Sequence, residues 1–397
     1  MKNQEGYEYN EASELNKIQE NEPQIDFLEV SVISEILQII EQIESKCKVK
    51  SGEDIVNERI KQLAYSKILC NVYNKDITYL IKGYTNLGIA YLDIEYYEQA
   101  QEHLLNAFKL NENLSDEDNL SMKEYQIKIL IHLSKCYLEN DKLDAAYQIA
   151  NRSLGMNQTL FGKDHVSNAD IYYVLAKVNT KLKKYDAAIE NLQLMFNIYE
   201  KIYTYDSEKS AKICMEMGQV YELANDLNEA ITYYRNSYSI WEKIINDDNY
   251  EVLFQIAIKL SELFVIVNKP EEGKEDEKME ESYRILVETD EKYGNKFERS
   301  LKDKVIYQRC RIKACSYTKN LEQCLHEYLI LESILNECDE NQKTLAKTCE
   351  EISHLYREAK DINKCIEYLK KAENIYNCNA DSAKATKINQ KIEEIKK

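Results

Sequence analysis

Tyr84-x2-Leu87-Gly88-x2-Tyr91-x8-Ala100-x3-Leu104-x2-Ala107 decides the fold, because the same frame returns along the chain. It can be laid down again at Leu133/Ser134/Tyr137/Ala146/Ala150, at Leu175/Ala176/Ala188/Leu192 and at Met217/Gly218/Tyr221/Ala230/Tyr234. Weaker copies sit at Leu260/Ser261/Phe264 (continuing at Ser282/Leu286), around Cys315/Cys324/Tyr328, and at Ile352/Ser353/Tyr356/Cys365/Leu369/Ala372. The small residue opening the second half of each copy falls at 100, 146, 188, 230, 282, 324 and 365, with steps of 46, 42, 42, 52, 42 and 41. Each copy holds two stretches of helical periodicity, and seven in phase make an array. Two helices approach to about 8–10 Å only where small side chains meet at their crossing. Gly88, Ser134, Ala176, Gly218, Ser261 and Ser353 supply that residue on the first helix, and Ala100, Ala146, Ala188, Ala230, Cys324 and Cys365 on the second. Tyrosines and leucines fill the wedge between neighbours, so a core is continuous only when the pairs stack.

The frame resembles the tetratricopeptide repeat, with tyrosine in the slot where that family usually shows tryptophan. The resemblance covers about residues 70–378 and implies an all-α solenoid, a right-handed superhelix of antiparallel helix pairs with an N-terminal helical cap. A period near 42, rather than the commoner 34, resembles the kinesin-light-chain type. Leu160-Phe-Gly-Lys-Asp-His165 followed by Ser167-Asn-Ala-Asp-Ile-Tyr-Tyr-Val-Leu-Ala176 looks like the turn between repeats of that type, and Asn74-Lys-Asp-Ile77 is a fainter copy. Similar long periods occur in ciliary proteins such as the tetratricopeptide repeat domain 23 family. The heptad coiled coil that precedes the repeats of a true light chain is not seen here.

Composition agrees with an almost wholly helical chain: 9 glycines, 2 prolines and 31% charged residues in 397. The expected organisation is a disordered acidic segment 1–25, capping helices in 26–75, four repeats in 76–250, three degenerate repeats in 251–378 and a capping helix in 379–397. The longest step contains the charged insertion 269–281, read as a solvated loop, an acidic docking loop or a hinge. Only Pro23 and Pro270 occur, so turns are expected to rest on Gly162, Gly294 and the clusters Ser115–Asp118, Asp247–Asn249 and Asp339–Asn341. No signal peptide is expected in 1–25, which lacks an apolar segment. No uncharged apolar run reaches the length of a membrane span. The apolar stripe of Phe27, Leu28, Val30, Ile33, Ile36, Leu37, Ile40 and Ile43 reads as a cap over the open end of the array.

The 11 cysteines include no C-x-x-C spacing, and those at 324 and 365 occupy alanine slots, so they read as buried thiols, with a redox or zinc role for the seven clustered after residue 300 as the alternative. Reduced thiols point to a cytosolic or axonemal compartment. The five histidines (103, 132, 165, 326, 354) form no H-E-x-x-H; His165 belongs to the turn, and His103 is expected to face solvent. Gly162-Lys163-Asp164 lacks the flanking residues of a phosphate loop. No catalytic residue, metal or cofactor is expected. A net charge of −18 repels nucleic acid, and nothing implies a homo-oligomer.

The resemblance implies that the first helix of each pair lines a concave face that binds other proteins. The inward candidates are then Lys82, Asn86, Lys128, Lys135, Tyr173, Lys177, Lys181 and Lys212, with Asp93, Glu139, Asp170 and Glu222 as acidic members. The lysines outnumber the acids by two in a chain of −18, which suits an acidic extended segment of a partner protein. Lys82 and Asn86 match the start of the carboxylate clamp of chaperone-binding repeats, while His132, Asp170 and Val174 break it. The function expected is that of a non-enzymatic adaptor or scaffold in the cytoplasm, a cilium or a microtubule-associated assembly. The alternative is a bacterial peptide-pheromone receptor of the Rap type.

Overall fold

The computed structural model describes residues 29–48, 52–73, 75–114, 120–203, 205–245, 250–268, 277–296, 299–318, 320–337 and 342–396. The tail 1–25, the three polar turn clusters and residues 269–276 of the charged insertion lie outside them. All regular structure among the described residues is α-helical, in seventeen helices that form two compact units, one ending at Ile202 and the other starting at Tyr203.

The first unit contains α1 (Glu29–Cys47), α2 (Glu53–Asn71), α3 (Thr78–Asp93), α4 (Tyr97–Glu112), α5 (Leu120–Glu139), α6 (Leu143–Phe161), α7 (Ser167–Lys181) and α8 (Tyr185–Ile202). The second contains α9 (Glu208–Leu223), α10 (Leu227–Ile244), α11 (Tyr250–Asn268), α12 (Glu277–Tyr293), α13 (Leu301–Ser316), α14 (Leu321–Asn336), α15 (Gln342–Glu358), α16 (Ile362–Cys378) and α17 (Ser382–Lys396). Within a unit each helix packs on the next, and α3 on α5 and α5 on α7 also touch, so the first helices of successive pairs form a wall.

The small-residue slots lie where the helices cross. Ala100, Ala146, Ala188 and Ala230 are wholly buried, and a β-carbon added at Gly88 would stand 2.7 Å from Leu104 Cγ. Gly218 similarly abuts the Tyr234 ring. Ser134 and Ser353 are buried and donate their hydroxyls back to the carbonyls of Ile131 and Glu350, which lets a polar residue fill a tight apolar site. At the start of the chain Ile36 and Ile40 of α1 pack on Ile68 and Leu69 of α2, whose Val56, Ile60 and Leu63 meet Leu87 and Leu104. At the end, Ala385, Ile388 and Ile392 of α17 join Tyr376 in the second unit's core, while Ala383 is exposed.

In five pairs, α3–α4, α5–α6, α7–α8, α9–α10 and α15–α16, the helices are joined by three-residue turns that need no glycine. Glu95, Asp141, Lys183, Asn225 and Lys360 each hold the left-handed conformation, with φ of 65°, 58°, 59°, 63° and 62°. Ala380, between α16 and α17, does the same at 57°. In every case the next residue donates its backbone N–H to a carbonyl five residues back, as Tyr96 to Tyr91 (2.9 Å) and Asp361 to Tyr356 (2.9 Å), the bond pattern of a Schellman motif. Five such turns thus rest on residues other than the expected glycines and polar clusters.

The turn between α6 and α7 is built differently. Gly162 takes φ of 88°, and the buried Asn168 amide donates to the carbonyls of Gly162 (2.9 Å) and Lys163 (3.0 Å). Asn157 donates to Asn168 Oδ1 (2.8 Å), Ser167 donates to Asn157 Oδ1 (2.9 Å), and His165 stacks on Phe161 at 4.5 Å. The motif at 160–168 is therefore a hydrogen-bonded corner.

The weak repeat signals between 250 and 336 have a physical counterpart. Arg311, on α13, bonds Asp290 (2.8 Å) and the wholly buried Glu327 (2.8 Å), and Gln308 also donates to Glu327. A buried polar network stands here where other pairs have an apolar wedge.

Candidate functional site

The wall of first helices in the first unit carries a cluster of cations and amides. Tyr125, near the start of α5, has the Lys82 ammonium 5.4 Å from its ring centre and the Lys128 ammonium at 5.9 Å. Lys82 lies on α3, and Lys128 lies three residues after Tyr125, nearly one turn on, so adjacent first helices bring both cations to one aromatic ring. Behind them Arg59 of α2 donates to Gln62 Oε1 (2.6 Å), Gln62 donates to Glu44 of α1 (3.0 Å), and Asn86 donates to Gln62 at 3.5 Å. Glu44 is thus the acid of the cluster, and it is held by an amide.

Electrostatics follow from that supply of charge. The Lys128 stem reaches water, yet the flanking walls displace part of its hydration and lower its pKa, with Arg59 adding to the effect and Glu44 opposing it. His132, one turn further, is pushed down to about 3 by burial and then by Lys135 and Lys128. Its Nδ1 is buried without a hydrogen-bond partner among the described residues, so the neutral ring presents an unused nitrogen. Burial raises the Asp93 pKa against the pull of Lys135.

The remaining candidates are distributed. Lys135 pairs with Asp170 at 3.7 Å, and Lys177 sits over the Tyr173 ring at 5.4 Å, so both stay on the α5–α7 wall. Lys181 is drawn to the preceding turn, where it donates to Leu138 O (3.2 Å) and pairs with Asp141 (3.2 Å). Lys212 is in the second unit and pairs with Glu208 one turn back on α9 (2.6 Å). Glu222 is taken by Lys259 (3.1 Å) and the Tyr234 hydroxyl. Glu139 is exposed. His103 is not solvent-facing: its ring stacks on Tyr91 at 5.4 Å and on Tyr84 at 5.9 Å, drawn in by the aromatic slots of α3. Tyr125, Arg59, Gln62 and Glu44 were not foreseen; the i, i+3 spacing of Tyr125 to Lys128 was the one local signal for the first of them.

The second unit has a hollow of about 320 Å³ between α13, α14 and α15, where Arg309, Lys313 and Lys347 stand around the Tyr328 ring and the Thr344 hydroxyl. Burial first, then Glu351, pushes Tyr328 up to about 12. Among the described residues no group of three or more His, Cys, Asp or Glu could hold a metal ion. No described helix is long and apolar enough to cross a membrane.

Residues 125–201 match one tetratricopeptide-repeat family model, and residues 81–114, 211–240 and 346–377 match a second. The chain carries tetratricopeptide repeats. Helices α11 to α14 fall outside the matched segments, where the polar network of Arg311 and Glu327 lies. No curated protein matches the sequence. Among solved structures, BtubC from P. vanneervenii is similar at 13% identity and a TM-score of 0.50, over 62% of this chain and 92% of that one. A signal-transduction ATPase with numerous domains and a tetratricopeptide-repeat sensor, from Pyrococcus horikoshii, is also 13% identical with a TM-score of 0.50. The likeness there covers 98% of this chain and 55% of that one. A kinesin light chain with nearly identical repeats, from Podosopora anserina, is 13% identical with a TM-score of 0.43, over 54% of this chain and 97% of that one. At such identities what the first two share with this chain is the fold.

Proposed function

We propose that the chain is a non-catalytic interaction scaffold whose first unit receives an extended, acidic segment of another protein on the wall of α3, α5 and α7. The observation that carries this is the pair Lys82 and Lys128 flanking Tyr125. Among the described residues neither ammonium has a carboxylate within ion-pair distance, whereas Lys135, Lys181, Lys212, Lys243, Lys259 and Lys292 each have one. Two cations beside one aromatic ring and without a carboxylate partner, in a chain of −18, are groups that an incoming carboxylate neutralises. Tyr125 adds flat apolar area for the stem of the same segment.

A ciliary or microtubule-associated setting is supported by the resemblance of the 160–176 corner to kinesin-light-chain-type repeats. Affinity purification with amine-reactive crosslinking and mass spectrometry tests both levels. Partner crosslinks should concentrate on Lys82 and Lys128, axonemal proteins should dominate, and Lys82→Glu with Lys128→Glu should remove both without loss of helicity. Binding should also weaken as salt shortens the screening length from about 10 Å at 0.1 M. Crosslinks confined to other faces would overturn the site, and a co-purifying short peptide would favour the peptide-receptor reading.

A further inference from the structure

Cys315 ends α13, and Cys324 lies in the first turn of α14. Their sulfur atoms are 2.9 Å apart, and the side chains are 0% and 6% exposed. That separation is shorter than the ~3.5–4.0 Å at which unbonded heavy atoms pack. It is also specific to this repeat. The slot nine residues before the small residue of the second helix holds Tyr91, Tyr137, Asn179, Tyr221 and Tyr356 elsewhere, opposite Ala100, Ala146, Ala188, Ala230 and Cys365. Between α13 and α14 both slots are cysteine, so two thiols occupy the space of a tyrosine ring edge and an alanine methyl.

We propose that Cys315 and Cys324 are a dithiol–disulfide modification site, with Cys324 the attacking sulfur, Cys315 the resolving one and a low-molecular-weight disulfide such as oxidised glutathione the oxidant. Cys324 is the more exposed, and its place in the first turn of a helix lets fraying of that turn uncover it. The two thiols share one hydrogen bond, and with Cys324 ionised it is the S–H of Cys315 that donates, which lowers the Cys324 pKa and raises that of Cys315. The Cys324 thiolate attacks one sulfur of oxidised glutathione, forming a mixed disulfide and releasing one glutathione thiolate. Cys315, giving its proton to that thiolate, attacks Cys324 Sγ and releases the second glutathione. The protein loses two electrons and two protons, and the oxidant becomes two molecules of glutathione. The bond would fix the end of α13, which carries Lys313 and Ser316, in the wall of the hollow against α14.

Full-length protein is incubated with oxidised glutathione under native conditions, quenched with an alkylating agent and digested with trypsin without reduction. Cleavage after Lys313, Lys319 and Lys343 separates the two cysteines, so the bond appears as peptide 314–319 joined to peptide 320–343, lighter by two hydrogen atoms than the sum of the two with Cys338 alkylated, and fragmentation places the bond on Cys324 rather than Cys338. Cys315→Ala should abolish that species and leave glutathione on Cys324, while Cys324→Ala should abolish it without leaving glutathione on Cys315. Failure to form the joined peptide, while the exposed Cys378 becomes glutathionylated, would overturn the proposal. Its persistence in either variant with another cysteine as partner, or an unmodified Cys324 in Cys315→Ala, would overturn it too.

Discussion

Ala380 holds φ of 57° with its β-carbon in place, a conformation that disfavours an L-residue by about 1–2 kcal/mol. Glycine removes that strain but gains about 0.4–1 kcal/mol of freedom in the unfolded chain. Ala380→Gly should therefore raise stability by roughly 0.5–1 kcal/mol, read as a higher midpoint in thermal denaturation of the full chain. A lowered midpoint would mean that the backbone there is unstrained, since only the entropy cost of glycine would then remain. His132 gives a second prediction. Its folded pKa lies near 3, held down by burial and by Lys135 and Lys128, whereas an unfolded histidine titrates near 6.5. Between those values the unfolded chain binds a proton that the folded chain refuses, so stability is unaffected above pH 6.5 and declines as pH falls below it. The slope is at most about 1.4 kcal/mol per pH unit, and His132→Gln should flatten it between pH 6.5 and 5 in urea titrations. At this scale the site was only partly legible. Lys82, Asn86 and Lys128 followed from the repeat register. Arg59, Gln62 and Glu44 come from α1 and α2, where no repeat frame numbers the faces. The pairing of Lys181 with Asp141, 40 residues away, was not legible, because sequence distance hides such a pair.

Helix crossings are where the repeat frame meets packing directly. Gly218 stands 3.1 Å, at its would-be β-carbon, from three atoms of the Tyr234 ring, and that ring is fully buried with its hydroxyl bonded to Glu222. The ring cannot retreat, so Gly218→Leu should destabilise the second unit by at least the about 1–3 kcal/mol typical of overpacking. Chemical denaturation reads this as a lower midpoint; an unchanged midpoint would place the crossing elsewhere. Elements were legible in the sequence for the same reason that this variant is harmful: a crossing tolerates few side chains, so its residues recur. Turns tolerate many. Glu95, Lys183 and Lys360 share a conformation because backbone hydrogen bonds impose it, and nothing in a glutamate or lysine announces that state. The copies at 250–336 were faint because Arg311, Gln308 and Glu327 replace the apolar residues by which a frame is recognised.

Each unit keeps its own core, which has a consequence for the molecule as a whole. The division falls after Ile202, between pairs, and every ion pair quoted above closes within one unit. Stability in such arrays is close to a sum of neighbouring terms. A chain ending at Tyr203 should therefore keep a helical circular-dichroism spectrum and a cooperative transition of its own, whereas one ending at Leu175, inside α7, should stay helical but melt at a lower midpoint, having lost the α7–α8 pair. Loss of helicity in the chain ending at Tyr203 would show that the first unit depends on the second. The left-handed turns reach further than stability. Positions 95, 141, 183, 225, 360 and 380 are set by main-chain bonds, so selection acts there on backbone tolerance and hardly on chemistry. A saturation-mutagenesis survey of the chain should show a comb: glycine and asparagine enriched and isoleucine and valine depleted at those six sites. The first four teeth lie 46, 42 and 42 residues apart, so the periodicity of the architecture would be readable from fitness alone, in a channel independent of the buried residues that first disclosed it.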